Sequence, residues 1–104
     1  MQVQPEIRKV DWGELKIILS RKYEKGGSIE TGIFRCDAGK SLPYHTHEGA
    51  DEFCWVFEGA GTFVIGGKEF EVKSGELIKI PKDVEHRSFP KGKSHFTSFF
   101  IVCP

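Results

Sequence analysis

The stretch GKSLPYHTHEGADEFCWVFEG, residues 39–59, decides how this chain is read. Its second half, Glu52 to Glu58, is dense in aromatic and β-branched residues and predicts a strand. Its first half holds His45 and His47, two residues apart. Side chains at i and i+2 of an extended segment point to one face, so both imidazoles can converge on a single point. Glu52 follows five residues after His47, and His86 lies 41 residues after His45. Three imidazoles and a carboxylate form a donor set suited to one divalent transition ion such as Fe, Mn, Ni, Cu, Co or Zn. A His-x-His pair alone is weak, because two unrelated core or surface histidines give the same pattern. The punctuation around it is more informative. The stretch reads G-x5-H-x-H-x4-E-x6-G, and after a 15-residue gap residues 75–86 read G-x5-P-x-D-x2-H.

Working outward, short β segments separated by turn residues are expected on both sides. Strands are expected at Leu15–Arg21, Ser28–Cys36, Thr62–Ile65, Lys68–Val72, Leu77–Ile80, His86–Phe89 and His95–Cys103, with a polar arm or short strand over residues 1–14. Lys25-Gly26-Gly27 and Lys73-Ser74-Gly75 read as turns, and Gly66-Gly67 as a two-residue hairpin. No 3.6-residue period is apparent. Eight to ten strands at this spacing predict an all-β sandwich or barrel.

Composition sets the outer limits. With 104 residues there is room for one domain, spanning residues 1–104. Fifteen basic and fifteen acidic residues give zero net charge, which argues against a nucleic-acid partner or a polybasic membrane contact. The longest apolar runs are about five residues, against the ~20 of a membrane helix. Cys36, Cys54 and Cys103 form no C-x-x-C pair, and no apolar leader follows Met1, so a cytoplasmic location is expected.

The two spaced motifs resemble those of the cupins, specifically small single-domain members of the RmlC-like, cupin_2 type. Residues 39–59 match the first cupin motif at each named position, and residues 75–90 cover the second. Asp83 stands where that family usually has Gly, a mild change because Asp tolerates a left-handed turn. Pro90 replaces a common Asn. The resemblance implies a double-stranded β-helix, a jelly-roll barrel, with one metal held inside by His45, His47, Glu52 and His86. It also implies a coordination position open to water or substrate. One carboxylate offsets only one charge of a divalent ion, which favours an anionic oxygen donor such as a carboxylate, enolate or catecholate.

Strand parity extends the site. With Glu52 facing inward, Cys54 and Val56 follow, while Phe53, Trp55 and Phe57 face outward. Such an outer stripe predicts a cover, either the N-terminal arm or a second copy in a homodimer. Cys54 and Tyr44 are the catalytic candidates, although a buried thiol is more often plain core and Tyr44 suits a rim as well. Arg35, Lys79 and Arg87 would anchor an anion if they faced the barrel, but parity places Lys79 and Arg87 outside. His95 is a candidate cap for the pocket mouth or an exposed residue. Glu48 and Asp51 read as solvated. The candidate activities are a metal-dependent dioxygenase or lyase on a small carboxylate or enol, a metal-dependent sugar or phosphosugar isomerase, and a non-enzymatic small-molecule binding module. Metal-free cupin epimerases use a His/Tyr pair, and the complete donor set here argues for the metal route.

Overall fold

The structure, a computed structural model, describes residues 1–23 and 27–104. Lys25 and Gly26 of the expected 25–27 turn lie outside the described residues. The described residues form nine strands and no helix: β1 (Glu6–Val10), β2 (Gly13–Lys22), β3 (Ser28–Cys36), β4 (Asp51–Glu58), β5 (Ala60–Ile65), β6 (Lys68–Lys73), β7 (Leu77–Ile80), β8 (His86–Pro90) and β9 (Phe96–Cys103). They make two antiparallel sheets, ordered β1-β2-β3-β9-β4-β7 and β6-β5-β8. The consecutive strands β3 and β4 are separated by β9, the crossing pattern of a jelly roll. No helix among the described residues is long and apolar enough to cross a membrane.

The strands form where β-branched and aromatic residues alternate with polar ones. Along β4 and most of β9 every second residue is buried: Glu52, Cys54 and Val56 on one, Phe96, Ser98, Phe100 and Val102 on the other, with Thr97 buried as well. Phe34 packs edge-on against Phe96, with ring centroids 5.6 Å apart, and Phe63 meets the same ring at 5.8 Å. Such edge-to-face pairs contribute about 1 kcal/mol each beyond their buried area. The Phe63–Phe96 pair spans the two sheets where β5 and β9 approach, while Phe34–Phe96 packs neighbouring strands of one sheet.

The turn chemistry agrees with the sequence. Ile65 pairs with Lys68, so Gly66-Gly67 is a two-residue hairpin, and both glycines have positive φ (57° and 80°). The motif glycine Gly59 has φ 73°, and a Cβ there would lie 2.5 Å from the His95 carbonyl oxygen. Asp83 has φ 65°, as its place in a glycine position of the motif requires. Residues 1–14 supply β1, which pairs with β2 at the sheet edge through Glu6↔Ile17 to Val10↔Gly13. Three strands separate β1 from β4, so the arm does not cover the aromatic stripe.

Candidate metal centre

The site is built where the chain entering β4 runs beside β8. Leu42 N–H donates to the Ser88 carbonyl at 2.9 Å. His45 and His86 then exchange both backbone hydrogen bonds, each 2.9 Å, in an isolated antiparallel bridge. This bridge sets the two imidazoles side by side, with centroids 4.0 Å apart. His47 lies one further inward step along the same segment, and Glu52 projects from the start of β4. One ligand atom from each of His45, His47, Glu52 and His86 falls within 4.8 Å of all the others.

The backbone fixes which ring nitrogens face the centre. His45 Nδ1 lies 2.9 Å from the Pro43 carbonyl, and His86 Nδ1 lies 3.1 Å from that of Val84. A carbonyl only accepts, so each Nδ1 carries the hydrogen and each neutral ring presents its Nε2 lone pair inward. His86 Nε2 sits 3.0 Å and His47 Nε2 3.3 Å from Glu52 Oε1. Glu52 Oε1 and His86 Nε2 are buried, and neither completes a hydrogen bond. A lone pair and a carboxylate oxygen at that separation repel unless a proton or a cation lies between them. A divalent ion at the shared point satisfies both, so the residues fit the metal that their chemistry implies.

Electrostatics point the same way. Burial pushes the Glu52 carboxyl up, but the His47 and His86 imidazoles against it outweigh that and hold it at about 2. Burial pushes His45 below the usual histidine range. His86 is also pushed down by burial, but its contact with Glu52 wins and leaves it raised.

Supporting groups surround these four residues. Cys54, 1% exposed, donates its thiol to Glu52 Oε2 at 3.6 Å. Burial, and then the neighbouring carboxylate, raise this thiol well above its ordinary value, so it stays protonated and orients the oxygen away from the imidazoles. Asp83 Oδ1 accepts the Gly49 N–H at 2.8 Å, and Asp83 N–H donates to the His47 carbonyl at 3.1 Å. Asp51, expected to be solvated, instead accepts the Lys82 N–H at 2.9 Å. These three bonds join the loop that carries His47 to the turn that precedes His86. Glu48 is exposed, as expected.

A cavity of about 190 Å³ opens onto the centre. Its wall is largely apolar, with Leu15, Phe34, Phe63, Ile80 and Phe100 among its residues, and among the described residues no lysine or arginine lines it. Of the candidate anchors, Arg35 pairs with Asp37 at 2.8 Å and Lys79 is exposed over the Phe53 ring, 5.9 Å from its centroid. Arg87 stacks on Tyr44 and Phe89 at 4.9 and 5.1 Å. Tyr44 is half exposed in that stack and does not line the cavity. His95 does not line it either; its Nε2 meets Glu58 Oε1 at 2.7 Å.

Sequence reasoning missed Trp12 and Glu30, both in the cavity wall. Glu30 had a signal, because it shares strand parity with the buried Phe34 and Cys36. Trp12 had none, since it lies in the turn between β1 and β2.

The Cupin_2 family profile, described as a cupin domain, matches residues 32–102. The chain belongs to the cupin family. It is 27% identical over 86 residues to an uncharacterized protein of Methanocaldococcus jannaschii, an alignment covering 83% of this chain and 68% of the relative. Among solved structures it is similar in fold to an RmlC-like cupin from Shewanella frigidimarina (TM-score 0.78, 16% identity, 97% of this chain and 85% of the other). It is also similar to a predicted oxalate decarboxylase from Thermotoga maritima (TM-score 0.74, 19% identity, 98% of this chain and 93% of the other).

Proposed function

We propose that this cupin is a metal-dependent enzyme of the dioxygenase or lyase type, acting on a small carboxylate or enol-type molecule. The observation that carries the reading is the pair of buried, unsatisfied ligand atoms, Glu52 Oε1 and His86 Nε2, held 3.0 Å apart and facing a cavity. His45, His47, Glu52 and His86 would hold one divalent ion of iron, manganese, nickel, copper, cobalt or zinc. When bound, such an ion supplies a Lewis acid that polarises an oxygen donor of the substrate. The chain's own residues do the rest. The carbonyls of Pro43 and Val84 keep two imidazoles in the ligating tautomer, and the Cys54 thiol holds the outer carboxylate oxygen. The largely apolar wall leaves the metal and Glu30 as the main charged groups that a ligand would meet. That wall favours a small carboxylate or enol over a sugar, whose hydroxyls need several polar partners. Tyr44 lies outside this cavity, and Cys54 reaches the substrate only through Glu52, which makes it a positioning residue.

The outer face of β4 supports a second element of the reading, a homodimer. Phe53, Trp55 and Phe57 are 38%, 48% and 42% exposed, and a second copy would cover them.

Metal analysis of native protein, followed by reconstitution of stripped protein, tests the central claim. One equivalent of metal per chain, lost in His86→Ala, is expected. Undiminished binding in that variant would overturn the four-ligand centre. Turnover of a phosphosugar but not of carboxylates or enols would replace the substrate class.

A further inference from the structure

Glu30 is a charged residue of the cavity wall that the metal centre does not use. The sheet register places it. Glu30 pairs with Val102, Val102 with Glu52, and Glu52 with Ile80. These four residues form one row across β3, β9, β4 and β7, and all point to the inner face. Glu30 and Glu52 are thus two strands apart at one level of the barrel, with backbones roughly 10 Å apart from two inter-strand spacings. The side chain between them is the apolar Val102, 6% exposed. The cavity therefore has two charged ends. At one end a divalent ion held by the four ligands would keep one net positive charge after Glu52 is counted. At the other stands the Glu30 carboxylate, and among the described residues no lysine or arginine lines the cavity beside it.

We propose that Glu30 is a specificity-determining residue, and that the ligand is a small dipolar molecule. It would place an anionic oxygen donor on the metal and an ammonium or guanidinium group against Glu30. This inference rests on the metal reading above and narrows its substrate class from carboxylates in general to those carrying a cationic end. A wholly anionic dicarboxylate would set its second charge against Glu30. A cavity of about 190 Å³ admits a body of a few carbons between the two ends, since it equals about six water volumes.

The test uses full-length protein loaded with cobalt(II), whose visible absorption reports a new donor on the ion. The probes are two matched pairs, 4-aminobutyrate with pentanoate and 5-aminopentanoate with hexanoate. Each pair differs only by ammonium in place of methyl. In wild-type protein at least one aminocarboxylate is expected to bind about tenfold more tightly than its partner, the scale of one charge-assisted hydrogen bond. Glu30→Gln, which is not a metal ligand, should reduce that ratio to about threefold or less while leaving cobalt affinity unchanged. Equal or weaker binding of both aminocarboxylates, a preference that survives Glu30→Gln, or no response to any probe by cobalt-loaded protein would each overturn the proposal. Failure of wild-type protein to bind cobalt would overturn the metal reading itself, and this inference with it. Cobalt binding without discrimination would overturn this inference alone.

Discussion

Strand β4 has two faces with opposite fates. On the inner face Glu52, Cys54 and Val56 are buried and satisfied within the chain or by the ion their geometry implies. On the outer face Phe53, Trp55 and Phe57 alternate with them and remain partly exposed. The inner face is finished by contacts that a single chain supplies: the imidazoles, the thiol and the β9 side chains. The outer face is only partly covered, by neighbours in the same sheet such as Phe99, Ile101 and Lys79, and β1 and β2 lie at the far edge of that sheet. One strand thus carries a centre that needs precise geometry and a surface that needs only apolar cover. Perturbing one should leave the other intact, and that independence can be broken experimentally.

The largest effect is expected from His86→Ala. It removes a ligand and leaves Glu52 buried beside a gap, so metal affinity should fall at least about a hundredfold in an equilibrium titration. The outer face should not respond, and a changed oligomeric state would break the comparison. From the other side, Trp55→Glu should weaken a dimer about thirtyfold, the scale of an interface hot spot near 2 kcal/mol. Sedimentation against concentration reads this, while metal content stays at the wild-type value. A wild-type chain that is monomeric at high concentration would remove the dimer from the reading.

Acidity acts on the inner face alone. His86 has a raised value in the folded chain, so its proton stabilises the metal-free fold fully below the ordinary value of 6.5, and that contribution is lost as pH rises through the raised value. Glu52 is held at about 2, so its contribution is present above the ordinary 4.5 and is lost as pH falls towards 2. A metal bound at Nε2 competes with the proton that His86 takes up there. Its stabilisation of the fold should therefore grow as pH rises from 6 to 8, read as a widening gap in Tm between loaded and stripped protein. A constant gap would count against His86 as a ligand.

The smallest effects test the scaffolding. Asp83→Gly keeps the positive φ but removes the bond to the Gly49 N–H, so metal affinity should fall by up to about tenfold with little change in fold. Cys54→Ala should weaken binding only a few-fold, because it frees one oxygen of Glu52 without removing a ligand. A larger loss than that of His86→Ala would give the thiol a more direct role.

Much of this was legible in the chain. Strand positions and the inner and outer faces of β4 followed from a two-residue period, a local property of extended backbone. The Gly66-Gly67 hairpin and the left-handed Asp83 followed from turn chemistry, which is also local. The four residues proposed to hold a metal followed from their spacing together with the family resemblance, and the fold brings them together. Glu30 was harder to read, because the β3 alternation is loose and its meaning depends on Val102 and Glu52, which lie 72 and 22 residues away. Asp51 and Asp83 bind backbone groups of the opposite loop, and no local pattern announces that.

The sequence by itself determined the donor set, the strand period and the turns, since each depends on neighbours within a few residues. The tertiary structure decided the rest: the tautomers of His45 and His86, the placement of Glu30 across the cavity, the apolar character of the wall, and the removal of Tyr44 and His95 from it. Those features depend on sheet order and register, which bring together residues far apart in the chain. Only the packing of the two sheets turns a list of candidate ligands into a site with a direction and a depth.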